Sequence, residues 1–145
     1  MAEPQQPQTD RQRLETDTGR RAERRRAERR GAERWGRRAE TFAALWLRLR
    51  GYRILARRHR GPMGEIDLIS RRGTILVAIE VKARADLDLG FASVSPRQRQ
   101  RIARTLRHYQ AQKPSLEALD LRVDLVIMRP WRLPVVISDV WHPDG

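Results

Sequence analysis

Three features of the sequence predict an α/β fold, a mixed β-sheet flanked by helices in the order α-β-β-β-α-β-β. Two stretches, near residues 36–50 and 96–113, space their apolar residues three and four apart, as one face of a helix does. The segments between and after them are rich in Ile, Val and Leu, and several alternate with polar residues in the period of two that strands show. Turn residues punctuate them, at Gly61-Pro62-Met63-Gly64 and around Arg72-Gly73. Strands interrupted by helices bury their apolar faces by packing those helices on the sheet.

The chain opens with a segment of another kind. Residues 1–34 form a basic low-complexity tail in which Ala-Glu-Arg recurs at 22–24, 27–29 and 32–34. A five-residue step turns a helix by about 500°, so each Ala lies about 140° from the last and no apolar stripe forms. This segment is expected to be disordered or loosely helical; an arm that grips nucleic acid is the sharper alternative. The folded domain is expected to span residues 35–145.

Its first helix should run from Gly36 to Arg50, with Phe42, Leu45, Trp46 and Leu49 toward the core and Gly51 ending it. Tyr52-Arg-Ile-Leu-Ala reads as a short strand. Two strands follow, Glu65–Arg71 and Thr74–Ala83. The second helix has clear start signals: Ser95 as N-cap, Pro96 in the first turn, and Gln98 completing a capping box. Ile102, Leu106 and Tyr109 form its apolar line, and it ends before Pro114. Leu121, Val123, Leu125 and Ile127 alternate as a half-buried strand, and Val135–Trp141 is a last strand that Pro130 and Pro134 keep near an edge.

Composition narrows the function. The 145 residues carry 31 Lys+Arg against 18 Asp+Glu, a net charge of +13, which suggests a polyanionic partner. Residues 1–40 hold 12 Arg against 8 acids, and the other 105 hold 19 basic against 10 acidic groups, so most of the excess sits in the folded part. There is no Cys, which excludes disulfide scaffolds, Cys-zinc sites and thiol nucleophiles. The longest apolar run is six residues, Phe42 to Leu47, far short of the roughly 20 of a membrane-spanning helix. A soluble cytoplasmic protein without a membrane partner is expected. Tyr and Phe are scarce and the four Trp are mostly explained by packing, so stacking on nucleobases has little support.

The chemistry concentrates in Gly64-Glu65-Ile66-Asp67-Leu68-Ile69 and Ile79-Glu80-Val81-Lys82. A hairpin with Arg72-Gly73 as its two-residue loop pairs residues whose numbers sum to 145. Glu65 then faces Glu80, and Asp67 lies diagonal to Glu80. Glu65, Asp67, Glu80 and Lys82 gather on one face, opposite the apolar set. Like charges opposed across a sheet destabilise it, so three carboxylates call for a counter-charge. Lys82 is one, and a divalent cation such as Mg²⁺ or Mn²⁺ is the other. Alternating Glu and Lys is also ordinary dressing of a solvent face, and both readings stand on the pattern alone. Of the 31 basic residues only Lys82 and Lys113 are Lys, which sets Lys82 apart, because a compact ammonium does what a guanidinium cannot.

An acid on one strand followed by Glu-x-Lys on the next resembles the PD-(D/E)xK nuclease motif, with Asp67 as the acid and Glu80-Val81-Lys82 as the Glu-x-Lys. From about Arg34 to Trp141 the chain resembles the bacterial YraN-like family, an uncharacterised family with a restriction-endonuclease-like fold similar to Holliday-junction resolvases. Gly36 and Ala39-Glu40, Gly51-Tyr52, Gly64-Glu-Ile-Asp-Leu-Ile, Glu80-Val-Lys82-x-Arg84, Gly90 and Arg122-Val-Asp124 carry the likeness. The resemblance implies a restriction-endonuclease-like sheet and metal-dependent hydrolysis of nucleic acid, DNA above all, with a non-catalytic binding module as the alternative. It implies catalytic residues Glu40, Asp67, Glu80 and Lys82, with Asp67, Glu80 and the Val81 carbonyl holding Mg²⁺ or Mn²⁺. Glu40, in line with Ala43, Ala44 and Leu47, would reach the same site. By analogy with the resolvases it also implies a homodimer. Two positions depart from the pattern: Gln98 and Arg58 stand where Lys and Asn are frequent. Arg97, Arg101 and Arg104, near His108, form a stripe suited to nucleic-acid phosphates, with a solvated face as the alternative.

Overall fold

The computed structural model describes residues 8–84 and 94–141. Gly90, one of the residues carrying the family likeness, lies outside them. The chain divides into two compact units, Met1–Trp35 and Gly36–Gly145. Helix α1 (Gln8–Leu49) is followed by β1 (Arg53–Gly61), β2 (Gly64–Arg72), β3 (Ile75–Ala83), helix α2 (Pro96–Ala111), a 3-10 turn at Pro114–Leu116, β4 (Asp120–Met128) and β5 (Val135–Trp141). Side chains described between Thr18 and Arg34 are exposed. This agrees with the lack of an apolar stripe in the repeat.

The five strands lie in the sheet in chain order, antiparallel except for the parallel pair β3 and β4. This is the mixed sheet flanked by helices that the sequence predicts. The crossover from β3 to β4 carries α2, as a parallel connection requires. Its start is as expected: Pro96 opens it and Ser95 Oγ accepts from Gln98 N–H at 3.2 Å.

Both faces of the central strands are buried. Leu68, Val77, Ile79 and Val126 pack with Ala39, Ala43, Ala44 and Leu47 of α1 and with Tyr52. Ile69, Leu76, Ala78 and Val123 pack with Ile102, Leu106 and Tyr109 of α2. Thus β4 is not half-buried: every residue from Val123 to Met128 is inside, because helices cover both faces. β1 is longer than the five-residue strand read from the sequence, and β5 is at the edge, as Pro130 and Pro134 require.

Helix α1 turns a different face to the sheet from the one its large residues suggest. Phe42 and Leu49 are 62% and 83% exposed, and Leu45 is exposed too, whereas Ala39, Ala43, Ala44 and Leu47 are buried. Trp46 is half-buried. Small side chains let the helix axis approach the sheet closely, and that rotation brings Glu40 round beside the alanines.

The β2–β3 hairpin also differs from the expected register. Arg72 pairs with Ile75 and Leu68 with Ile79, so numbers sum to 147 and the loop is Gly73-Thr74. Gly73 at φ +59° supplies the left-handed residue that a two-residue hairpin needs. A shift of two preserves the faces, which is why alternation could not detect it.

Candidate active site

Pairing between β2 and β3 stops at Leu68 and Ile79. Beyond it β2 continues on β1, with His59 beside Ile66 and Arg60 beside Glu65, while β3 continues on β4 as far as Ala83 and Met128. The sheet therefore forks, and Asp67 and Glu80 stand at its crotch. The Val81 N–H, released from the ladder, donates to Asp67 Oδ2 at 2.8 Å. An Asp side chain thus takes the place of a backbone acceptor and holds the fork open.

Glu80 is 7% exposed and fully engaged on one oxygen. Its Oε1 accepts from Gln98 Nε2 at 2.9 Å and lies 3.2 Å from Lys82 Nζ. Asp67 is within hydrogen-bonding reach of Glu80, and its pKa is pushed up to about 7. Burial is the largest cause, the Glu80 charge comes next, and Glu40 adds to it, against the lowering by the Val81 N–H. Two carboxyl groups held this close repel one another as anions, which is why the Glu80 charge helps raise the Asp67 pKa.

Glu40 comes to the same place from α1 but is already paired: Arg58 Nε donates to its Oε2 at 2.7 Å. The pairs on either side of Arg58, Arg57 with Leu68 and His59 with Ile66, leave it opposite Asp67. Its φ of +49° is unusual for a non-glycine residue inside a strand, and such strain collects at functional sites. Glu40, Asp67 and Glu65 together hold the Arg58 pKa above its ordinary value, the Glu40 hydrogen bond most of all.

Of the four expected catalytic residues, Asp67, Glu80 and Lys82 meet directly, and Glu40 lies within electrostatic reach of Asp67. Glu65 does not join them. It follows β2 away from the fork, half-exposed, toward Arg60 at 3.8 Å. Gln98 corrects the sequence reading in the other direction. Its backbone is capped by Ser95, but its side chain reaches Glu80 instead of closing a capping box. Its place in the first turn of a helix did not show a partner on a distant strand; the signal was the resemblance, in which Lys is frequent at this position. Gly64 belongs to the same assembly through packing: a Cβ there would stand 3.2 Å from Thr105 Oγ1 of α2.

Arg97, Arg101 and Arg104 are carried by α2, and the first two line a cleft of about 360 Å³ with Gly64, Glu65 and Gln98, the residue that holds Glu80. A larger cavity, about 610 Å³ between Arg107, Glu117, Asp120 and Asp139, lies at the opposite end of β3 and β4 and contains none of the site residues.

Arg122 and Asp124 are structural. Arg122 makes a two-pronged ion pair with buried Asp124, at 2.8 Å from both Nε and Nη2. Asp124 also accepts from the Tyr52 hydroxyl at 3.4 Å and from the Asp139 N–H at 2.9 Å. This network ties the start of β1 to β4 and β5.

The acids fit a divalent cation in part. Among the described residues, no group of three or more His, Cys, Asp or Glu side chains is arranged to hold a metal. Mg²⁺ does not need such a cage, because it binds through one or two carboxylates with water and phosphate completing the shell. Asp67 and Glu80 meet that requirement. Arg58 competes for Glu40, the residue that would extend the set.

Residues 39–128 match the model of the uncharacterised protein family UPF0102, a span containing Glu40, Arg58, Asp67, Glu80, Lys82 and Gln98. A UPF0102 protein of Paramagnetospirillum magneticum is 48% identical over 113 residues, covering 75% of this chain and 88% of its own length. One from Parvibaculum lavamentivorans is 47% identical over 108 residues, 74% and 81% of the two chains. One from Maricaulis maris is 49% identical over 108 residues, 74% and 85% of the two.

Proposed function

Since the chain belongs to the uncharacterised protein family UPF0102, a description that carries no activity, we propose from the site itself that it is a metal-dependent nucleic-acid phosphodiesterase, endonuclease-like and acting on DNA. The observation that supports this reading is the fork, where Asp67 and Glu80 are forced together with Lys82 beside them. Adjacent carboxylates, one with its pKa raised by burial and by its neighbour's charge, suit a divalent cation better than a purely structural role. Asp67, Glu80 and the Val81 carbonyl would hold Mg²⁺ or Mn²⁺. When bound, such an ion polarises the phosphodiester and acidifies water for attack.

The chain's own groups prepare that chemistry. Val81 N–H orients Asp67, and Gln98 fixes Glu80, so both carboxylates present one oxygen without rearranging. Lys82, anchored on Glu80, places a positive charge where it can orient the attacking water or stabilise charge growing on phosphorus. Arg97 and Arg101 line the adjoining cleft, where they can take flanking phosphates.

The second reading, a nucleic-acid-binding module that does not cleave, is favoured by the Arg58–Glu40 ion pair, which occupies the fourth residue of the set. One experiment separates them. The full chain is incubated with four-way branched DNA and with single-stranded DNA, with Mg²⁺ or Mn²⁺, beside Glu80→Ala and Lys82→Ala. Cleavage by the wild type alone is expected. Cleavage surviving both substitutions overturns the enzyme reading. Salt-sensitive binding without cleavage supports the module.

A further inference from the structure

The geometry points to a base-stacking finger at the tip of the β4–β5 hairpin: Trp131, flanked by Arg129 and Arg132, takes an unpaired nucleobase of the strand held at the acidic fork. This rests on the nucleic-acid reading above.

Trp131 is 104% exposed, so its indole makes no use of the fold. Tryptophan gains more from burial than almost any side chain, and one left wholly in water is an unused binding surface. The sequence reading explains the four Trp mostly by packing; Trp131 is not so explained.

The turn maintains that exposure at a cost. Arg132 N–H donates to the Arg129 carbonyl at 3.4 Å, closing a turn with Pro130 and Trp131 in the middle. Trp131 has φ +58°, a conformation that turns at this position ordinarily give to glycine. A strained backbone that displays the largest apolar side chain is poorly explained by stability and well explained by binding. Prolines at 130 and 134 bracket the tip and limit its freedom, which lowers the ordering cost of binding.

The finger stands at the correct end of the sheet. Parallel register sets Lys82 beside Ile127 and Ala83 beside Met128, and Arg84 N–H donates to the Met128 carbonyl at 3.0 Å. Trp131 follows only three residues after Met128, past the carboxyl end of the strand pair that carries Glu80 and Lys82. Ligands of α/β sheets bind at that end. Four residues of chain from Ile127 reach at most about 14 Å, about four stacked nucleotides of one strand.

The flanking charges suit the same occupant. Arg132 is exposed, and Arg129 is half-buried, its Nε inside the fold and, among the described residues, without a hydrogen-bond acceptor. An aromatic platform between guanidinium groups is the arrangement with which proteins hold single strands: bases stack on the ring and phosphates meet the arginines.

The test uses the full chain without divalent cation, so that nothing is cut. Oligo-dT and a fully paired duplex are titrated against wild type, Trp131→Ala and Trp131→Gly, with tryptophan emission and anisotropy as readouts. Oligo-dT should quench the wild-type emission. Both variants should lose that quenching and bind oligo-dT about ten- to a hundredfold more weakly, while their duplex affinity stays unchanged. Glycine suits the turn, so Trp131→Gly should be at least as heat-stable as wild type, which separates binding from folding. If the variants bind oligo-dT as wild type does, the finger is overturned and the nucleic-acid reading stands. If wild type binds neither probe, the nucleic-acid reading itself falls. Trp131-dependent binding to phosphatidylserine vesicles in place of oligo-dT would assign the tip to a lipid surface and overturn the finger.

Discussion

At Asp67, burial and the neighbouring Glu80 charge hold a carboxyl protonated to about pH 7, against an ordinary value of 3.8. A pKa raised by folding stabilises the folded state below the unfolded value and loses that contribution as pH rises to the folded one. Metal-free wild type should therefore lose stability between about pH 4 and pH 7 relative to Asp67→Asn, which cannot ionise. Urea denaturation at each pH measures the gap, and parallel profiles would refute the shift. At about pH 8, Mg²⁺ should restore stability to the wild type and not to the variant, because a cation that binds only the folded state stabilises it by mass action. Asp124 has a different fate. It is completely buried and satisfies Arg122, Tyr52 and the Asp139 N–H at once. Asp124→Ala leaves Arg122 unpaired in a part-buried setting and should cost about 3–5 kcal/mol. Chemical denaturation checks it.

Helix α1 shows how an element can contain the right residues and still be read on the wrong face. Two stripes compete: Phe42, Leu45 and Leu49 are large, whereas Ala39, Ala43 and Leu47 are mostly small, and the small stripe packs on the sheet. Leu47→Ala should cost about 2–5 kcal/mol, the range for truncating a buried leucine. Phe42→Ala should change stability by no more than about 0.5 kcal/mol, as exposed substitutions do. Equal losses at both positions, read from thermal unfolding, would reverse the assignment of faces. The β2–β3 hairpin is the second case. Alternation identified the two faces, but a shift of two leaves alternation unchanged, so only the turn geometry at Gly73 decided which residues meet.

For the whole molecule, the charge of +13 gains a location. Arg97 and Arg101 line the cleft beside Gln98, whose side chain holds Glu80, so two of the positive charges lie near that buried acid. Replacing Arg97, Arg101 and Arg104 together by Ala should weaken duplex binding and flatten its dependence on salt, by about 0.9 in the logarithmic slope for each phosphate no longer neutralised. Fluorescence anisotropy across a salt series reads this directly. Removing residues 1–34 should flatten the slope less than the triple substitution, if the stripe and not the tail holds the phosphates. A larger effect of the tail would identify the stripe as an ordinary solvated face.

The sequence by itself determined the order of elements, the start of α2 at Ser95, the edge position of β5, and three residues that meet at the fork, Asp67, Glu80 and Lys82. The first three follow from local physics, because capping, proline geometry and two-residue periodicity act over a few positions; Asp67, Glu80 and Lys82 were singled out by the family resemblance from the four polar residues that periodicity gathered. The tertiary structure decided the rest: which face of α1 is buried, where the β2–β3 ladder ends, that Glu65 leaves the site and Gln98 enters it, and that Arg58 holds Glu40. These depend on hydrogen bonds between residues 18 apart along the chain, Arg58 with Glu40 and Gln98 with Glu80, or on two strands parting after a shared ladder. Packing chooses among such arrangements by shape and closeness of approach, and hydrophobic pattern records neither.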